Sequence, residues 1–119
     1  MNGLSAYQEA SVMTQNKGRL IVMLYDGAIK LLKQAIRDIE THDFESKGRN
    51  VTKARDIITE LNTVLDMESG GEIAQNLRSL YNFMYSHLGK ANVKCDAQMI
   101  REVVGLLEEL NQSWRAITA

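Results

Sequence analysis

The hydrophobic residues of this chain recur at helical spacing, most densely in the stretch from Leu20 to Leu32. At about 100° per residue, the apolar side chains of this stretch and its continuation to Ile39 cover an arc of roughly 200° on a helical wheel. A surface helix usually shows an apolar stripe nearer to about 100° in width. The pattern therefore predicts either a helix at the centre of its fold or a helix that keeps part of its apolar face for a partner outside the chain.

The same spacing predicts four helices, which span about 17–40, 44–65, 72–91 and 96–117. Short polar connections separate them, and Gly70-Gly71 marks the clearest turn. Asn16 and Asp96 are suited to cap the first and fourth helices, and the chain contains no proline that would interrupt them. Because such short connections force neighbouring helices to run antiparallel, we predict an all-α fold, an antiparallel up-down four-helix bundle, over residues 16–119.

The first 15 residues carry sparser apolar positions than the rest of the chain. A terminal segment with so little to bury is usually mobile, so residues 1–15 are predicted to form a short mobile N-terminal segment. We expect this segment to cap part of the apolar surface of the bundle in the free protein, through Leu4, Tyr7 and Gln8.

Composition is typical of a soluble single domain. The 119 residues are 45% hydrophobic and 24% charged, and the formal net charge of −1 offers no overall field that would recruit nucleic acid or an anionic membrane. No apolar stretch is long and uninterrupted enough to span a bilayer. The single cysteine, Cys95, cannot form an internal disulfide, which fits a reducing compartment. We therefore expect a cytoplasmic protein that neither binds nucleic acid nor inserts into a membrane.

Residues suited to catalysis or metal binding do not converge in this pattern. A di-metal centre in a helical bundle uses Glu-x-x-His pairs on inward faces, and neither His42 nor His87 is preceded by glutamate at that spacing. No glycine-rich phosphate loop and no recognisable nucleophile motif occurs either. We expect no catalytic activity, no metal and no cofactor.

His87 supports one alternative of a different class. Histidine phosphotransfer domains are also four-helix bundles with an exposed histidine in mid-helix, and Lys90 follows His87 by three residues, as in those domains. Their frame has leucine two residues and glycine four residues after the histidine, where this chain has Gly89 and Ala91. A boundary histidine without chemistry fits better, and phosphotransfer through His87 is kept as the alternative function.

The excess apolar surface indicates an interaction protein. Helices that are each apolar over roughly 160–200° have more apolar face than four mutual contacts need, and a contiguous exposed patch of that kind marks a docking groove. The natural guest is an amphipathic helix or an extended segment laid into the groove. A purely structural bundle that dimerises through its spare face is the other explanation.

Several short motifs follow one another in a fixed order along nearly the whole chain. Tyr7-Gln8 is the first, and the stretch Leu20–Ala28, with the sequence LIVMLYDGA, is the longest. The motifs that follow are Ile57-Ile58, Glu60-Leu61, Leu65-Asp66, Gly71, Ala74, Leu77, Leu80-Tyr81, Tyr85, Leu88, Ala91-Asn92 and Glu109-Leu110 to Trp114. In this order and spacing they resemble the flagellar secretion chaperone family. One departure is that Asn16–Arg19 replaces the Ser-Pro with which that family opens its first long helix.

The resemblance implies an antiparallel four-helix bundle around which the C-terminal segment of flagellin wraps. It implies a cytosolic export chaperone that binds this segment, prevents premature polymerisation and delivers flagellin to the flagellar type III export apparatus. A component of the export gate and a co-chaperone are further implied partners. The resemblance and the margins of the apolar stripes together assign the flagellin groove to Leu20, Ile21, Leu24, Tyr25, Ile57, Leu61, Leu65, Leu77, Tyr81 and Tyr85.

Overall fold

Helices account for almost all of the structure. The computed structural model describes the backbone of residues 3–118 and the side chains of residues 17–118, so the side chains of the predicted cap residues Leu4, Tyr7 and Gln8 lie outside the described set. No strand occurs within residues 3–118, and the predicted all-α fold is confirmed. The helices are α1 (Gly3–Glu40), α2 (Phe44–Thr63), α3 (Gly71–Lys94) and α4 (Ala97–Thr118).

The first helix begins earlier than the hydrophobic pattern predicts. α1 starts at Gly3 rather than near residue 17, so Asn16 lies within the helix and does not cap it. Gly18 is also inside α1, where it is buried and where an added Cβ would collide with the side chain of Thr118. The glycine that weakens the helix locally therefore allows α1 and the end of α4 to approach closely.

The last connection of the bundle is held by a side-chain cap and a left-handed residue. The Asp96 carboxylate accepts hydrogen bonds from the backbone N–H groups of Gln98 and Met99, at 3.0 and 3.2 Å, so Asp96 caps α4 as predicted. α3 runs past its predicted end at residue 91 and ends at Lys94. The next residue, Cys95, has a φ of 51°, the left-handed conformation that commonly follows the end of a helix.

Ion pairs between α1 and α4 show that the two helices run antiparallel. Residues of α1 in ascending order pair with residues of α4 in descending order: Asp26 with Arg115, Lys33 with Glu108 and Glu40 with Arg101. α1 also packs against α2, and α3 packs between α2 and α4, diagonally across the bundle from α1. Exposed ion pairs each contribute little stability. Here they show how α1 and α4 are aligned along their lengths. The up-down bundle is confirmed.

Two buried tyrosines connect the diagonal of the bundle. Tyr25 on α1 and Tyr81 on α3 are 0% and 1% exposed, and their hydroxyl oxygens lie 2.6 Å apart. A buried hydroxyl without a partner is costly, and here one hydroxyl donates to the other, so that each has a hydrogen-bond partner. Burial raises the pKa of both hydroxyls, which therefore stay protonated and able to donate. The indole of Trp114 packs beside this pair, with its ring centroid 6.5 Å from that of Tyr25.

Three consecutive residues of α1 reach three different helices. Tyr25 bonds to α3, and Asp26 accepts a hydrogen bond from Asn111 of α4 at 2.8 Å. Gly27 faces α2, where the Ile57 Cδ1 atom would lie 3.5 Å from an added Cβ. Successive residues of a helix point about 100° apart, which is why one short run can contact three neighbours. The wide apolar arc of α1 thus reflects, in large part, its contacts on two sides and across the diagonal.

Replacing one tyrosine of the pair by phenylalanine should lower the free energy of unfolding. Replacing both should lower it by less than the sum of the two single losses. Tyr25→Phe leaves the Tyr81 hydroxyl buried without its partner, at roughly 1–3 kcal/mol, while the double variant leaves no unpaired hydroxyl. Urea unfolding followed by circular dichroism gives the double-mutant cycle. Tyr85→Phe is the matched control, since Tyr85 is exposed, and should change the free energy of unfolding by less than about 0.5 kcal/mol. Additive losses in the double variant would contradict the pairing.

Asp26 should make the stability of the bundle fall on acidification. Its hydrogen bond from Arg115 holds the pKa of the carboxyl below its ordinary value of 3.8, together with Asn111 and against the opposing effect of burial. Because the folded pKa is the lower one, this stabilisation is fully present above the ordinary pKa and is lost as the pH falls through the folded value. Solvent screens this half-exposed carboxylate, so the effect is small.

In Asp26→Asn, the urea midpoint should therefore fall less steeply than in the unsubstituted protein between about pH 4 and pH 2. The matched control is Asp56→Asn, at an exposed aspartate of α2 that forms no ion pair within the described side chains. If the urea midpoint of Asp26→Asn fell as steeply with acidification as that of the unsubstituted protein, the assignment would be refuted.

Candidate docking site

An apolar cavity opens at the end of the bundle where α2 and α4 end and α3 begins. Its volume is about 200 Å³, smaller than the roughly 300–1,000 Å³ of a typical small-molecule pocket, so it suits one or two side chains of a guest. Apolar side chains from all four helices and from the α2–α3 connection form its walls: Ile21, Leu61, Val64, Leu65, Tyr81 and Trp114. Lys17 and Asp66 complete the lining and are the charged residues among the described side chains that form it.

Four of the predicted groove residues come together at this cavity: Ile21, Leu61, Leu65 and Tyr81. Ile21 and Leu65 are half-buried, whereas Leu61 and Tyr81 are almost fully buried and form the floor. Helical periodicity identified these four because they lie on apolar stripes. Val64 and Trp114 also line the cavity but are not among the predicted groove residues. A helical wheel shows which side of a helix is apolar, but it does not show where the end of a bundle is open.

Three other predicted groove residues lie on α1 and α2. Leu20 is 43% exposed, and Leu24 and Ile57 are half-buried. Leu20 therefore offers apolar surface to a guest directly beside the cavity residue Ile21. Contact of any of these side chains with flagellin stays a prediction.

The structure corrects the expected exposure of Tyr25 and Leu77, which lie in the core and not on a stripe margin. Tyr25 has no accessible surface and Leu77 is 8% exposed. The physical reason is the diagonal contact, because the Tyr81 hydroxyl gives the Tyr25 hydroxyl a partner and makes its full burial favourable. Tyr85 is exposed but lies apart from the cavity, on the outer side of the α2–α3 pair, where the guanidinium of Arg55 covers its ring at 3.8 Å.

The rim of the cavity carries opposite charges on α1 and on the α2–α3 connection. Asp66 accepts hydrogen bonds from the Ser69 hydroxyl and from the backbone N–H groups of Ser69 and Glu68. These bonds, the Ser69 hydroxyl first, lower the pKa of the Asp66 carboxyl, and the positive charge of Lys17 acts in the same direction. The mouth is therefore lined by the side chains of Asp66 and Lys17, while the walls are apolar.

His87 links α3 to α4 through a side-chain contact. Its Nε2 atom lies 2.7 Å from a carboxylate oxygen of Glu102, and its ring stacks on Phe83 with the centroids 4.8 Å apart. The side chain is 17% exposed. A phosphoryl-accepting histidine needs an accessible ring nitrogen, so this arrangement speaks against the phosphotransfer alternative. Within the described residues, no three His, Cys, Asp or Glu side chains cluster in a way that could hold a metal ion.

The whole chain matches one known family. A family model described as "Flagellar protein FliS" matches residues 1–119. The chain belongs to the FliS family. A relative named flagellar secretion chaperone FliS from Salmonella typhimurium is 42% identical, over 98% of this chain and 90% of its own length. A relative of the same name from Bacillus subtilis is 38% identical, over 96% of this chain and 84% of its own. The resemblance read from the sequence motifs is confirmed.

A solved structure shows that the fold is shared beyond close sequence relatives. A crystal structure of a flagellar chaperone from bacteria superimposes with a TM-score of 0.82 at 18% identity, covering 98% of this chain and 97% of the other. None of the helices within residues 3–118 combines the length and the hydropathy that crossing a bilayer requires. The described part of the chain is thus a helical bundle with an apolar cavity at one end.

Proposed function

We propose that this FliS-family chain is a cytoplasmic export chaperone without catalytic activity, which binds the C-terminal segment of flagellin. It keeps that segment from polymerising before export and brings it to the flagellar type III export apparatus. The names of the relatives support the export role. The observation that supports the binding site is the open apolar cavity formed by all four helices, with Ile21 and Leu65 at its accessible margin.

The shape of the site suits a guest that folds as it binds. A cavity for one or two side chains supplies an anchor, and exposed apolar positions such as Leu20 extend the contact along the bundle. Ordering a disordered segment costs several kcal/mol, so a single anchor is too little and the guest must wrap over a long surface. An export cargo must also be released, which favours moderate rather than extreme affinity.

The N-terminal segment is the proposed cap of the empty site, through Leu4, Tyr7 and Gln8. Lys17 lies on the cavity rim, and the backbone of residues 3–16 continues α1 outward from it. To cover the cavity, this segment has to fold back, which requires α1 to break near Gly18, the glycine next to the rim residue Lys17. Flagellin would then displace the cap. A component of the export gate and a co-chaperone are further proposed partners.

Leu65→Glu should weaken binding of a peptide from the C-terminus of the cognate flagellin by at least about tenfold, because it places a carboxylate in the apolar margin of the cavity. Isothermal titration calorimetry measures the affinity, and a negative heat-capacity change is expected from the apolar area buried. Val93→Glu is the matched control, since Val93 is 86% exposed near the opposite end of the bundle.

Equal affinities for Leu65→Glu and Val93→Glu would place the groove elsewhere, and no binding by the unsubstituted protein would refute the function. Thermal melting of both variants shows whether each is folded. Light scattering of the free protein over a range of concentrations separates a chaperone with an open site from a bundle that only dimerises through its spare face.

A further inference from the structure

Two hydrogen-bonded groups of residues lie on the outer side of the α2–α3 pair, and we call this surface the basic face. One group is Arg55 with Tyr85, beside Gly89, and the other is Asn62 with Asn82 and Arg78. The Arg55 Nε group donates to the backbone carbonyl of Tyr85 at 3.0 Å, and its guanidinium lies over the Tyr85 ring. Two turns further along α2, Asn62 donates to Asn82 at 2.9 Å and accepts from the Arg78 Nε group at 3.3 Å. Neutral groups therefore hold both arginines in place.

Arg55 and Arg78 differ from most of the other hydrogen-bonded arginines of the structure in the kind of partner that they have. Among the described side chains, no carboxylate forms an ion pair with Arg55 or Arg78. Each uses only its Nε group in the hydrogen bonds found, so the terminal amino groups are left to a ligand. Elsewhere arginines pair with carboxylates: Arg49 with Glu45, Arg101 with Glu40 and Arg115 with Asp26.

Gly89 provides the space in which the Arg55 guanidinium sits. An added Cβ at Gly89 would lie 2.9 Å from the Nη2 atom of Arg55, closer than such atoms approach one another. Glycine in the middle of a helix lowers stability by roughly 1 kcal/mol relative to alanine. At Gly89 the missing side chain leaves room for the Arg55 guanidinium, which explains why a glycine fits this position. Arg55 is also only partly exposed, so its charge is partly removed from water without a counter-ion.

A pre-positioned arginine without a counter-ion is suited to a carboxylate. The planar guanidinium binds a carboxylate through two parallel hydrogen bonds, and stacking on an aromatic ring reduces the entropy lost on binding. The seven residues from Arg55 to Asn62 correspond to about 10 Å along α2, so two carboxylates at that separation would meet both arginines. A net charge of −1 and only two cations on this face favour an acidic polypeptide over a nucleic acid.

We propose that the basic face binds an acidic segment of a partner polypeptide, with Arg55 and Arg78 each receiving one carboxylate. This surface lies outside the cavity assigned to flagellin, so the proposal is independent of that assignment. Tyr85, a predicted groove residue, acts here as the platform on which Arg55 rests.

A helical alanine-rich peptide with two glutamates seven positions apart tests the proposal, and the same peptide with glutamines is its control. NMR titration of the isotope-labelled full chain should shift the Arg55 and Arg78 side-chain Nε–H signals with the glutamate peptide and not with the glutamine peptide. Arg55→Gln combined with Arg78→Gln should weaken binding by at least about tenfold. The charge-matched control is Lys30→Gln combined with Arg37→Gln, two exposed residues seven apart on α1.

Two further variants separate recognition from simple charge attraction. Gly89→Ala keeps every charge and favours the helix, yet it displaces the guanidinium and should weaken peptide binding several-fold. Arg55→Lys keeps the charge but loses the planar fork and should give an intermediate affinity. Equal losses in the two double variants, or unchanged affinity in Gly89→Ala, would overturn the proposal. So would stronger shifts of the same signals by a single-stranded oligonucleotide than by the glutamate peptide.

Discussion

The hydrogen bond between Tyr25 and Tyr81 is the constraint on which the rest of the bundle depends. Four helices in a square contact their neighbours along the edges, and only large side chains can reach across the diagonal. The two hydroxyls meet there at 2.6 Å, and both side chains are almost fully buried. Any rotation or slip of α1 relative to α3 would separate them and leave two buried polar groups unpaired, which a packed interior penalises strongly. This one bond therefore specifies the rotation of both helices.

The family motif around Tyr25 makes physical sense in this light. The residue before the glycine bonds to α4 and the glycine faces α2, so three neighbouring positions of α1 are directed at three helices. A match to LYDGA at Leu24–Ala28 is consequently evidence for the arrangement of the bundle more than for its guest. Residues that contact a guest are expected at the margins, where side chains such as Leu20 and Leu65 keep accessible surface.

Most of the fold followed from the sequence because helical periodicity and short connections leave few arrangements open. The helical wheel could not separate Tyr25 in the core from a tyrosine on a margin, since its full burial depends on a hydroxyl 56 positions away in the chain. The start of α1 was placed too late because Asn16 and Gly18 are typical of a helix end, whereas here the glycine is needed for contact with Thr118. The placement of Arg55 over Tyr85 was equally invisible, because it joins two helices through a backbone carbonyl.

The same tyrosine pair also determines what the cavity can accept. Tyr81 forms part of the cavity floor, and its hydroxyl already has a hydrogen-bond partner in Tyr25. An apolar side chain entering from outside does not have to break this bond, and burial of its apolar surface is favourable. Because burial raises the pKa of both hydroxyls, the tyrosine pair stays uncharged at neutral pH. Among the side chains described, the charged ones lie at the rim, where Lys17 and Asp66 can orient a guest without contributing to the anchor itself.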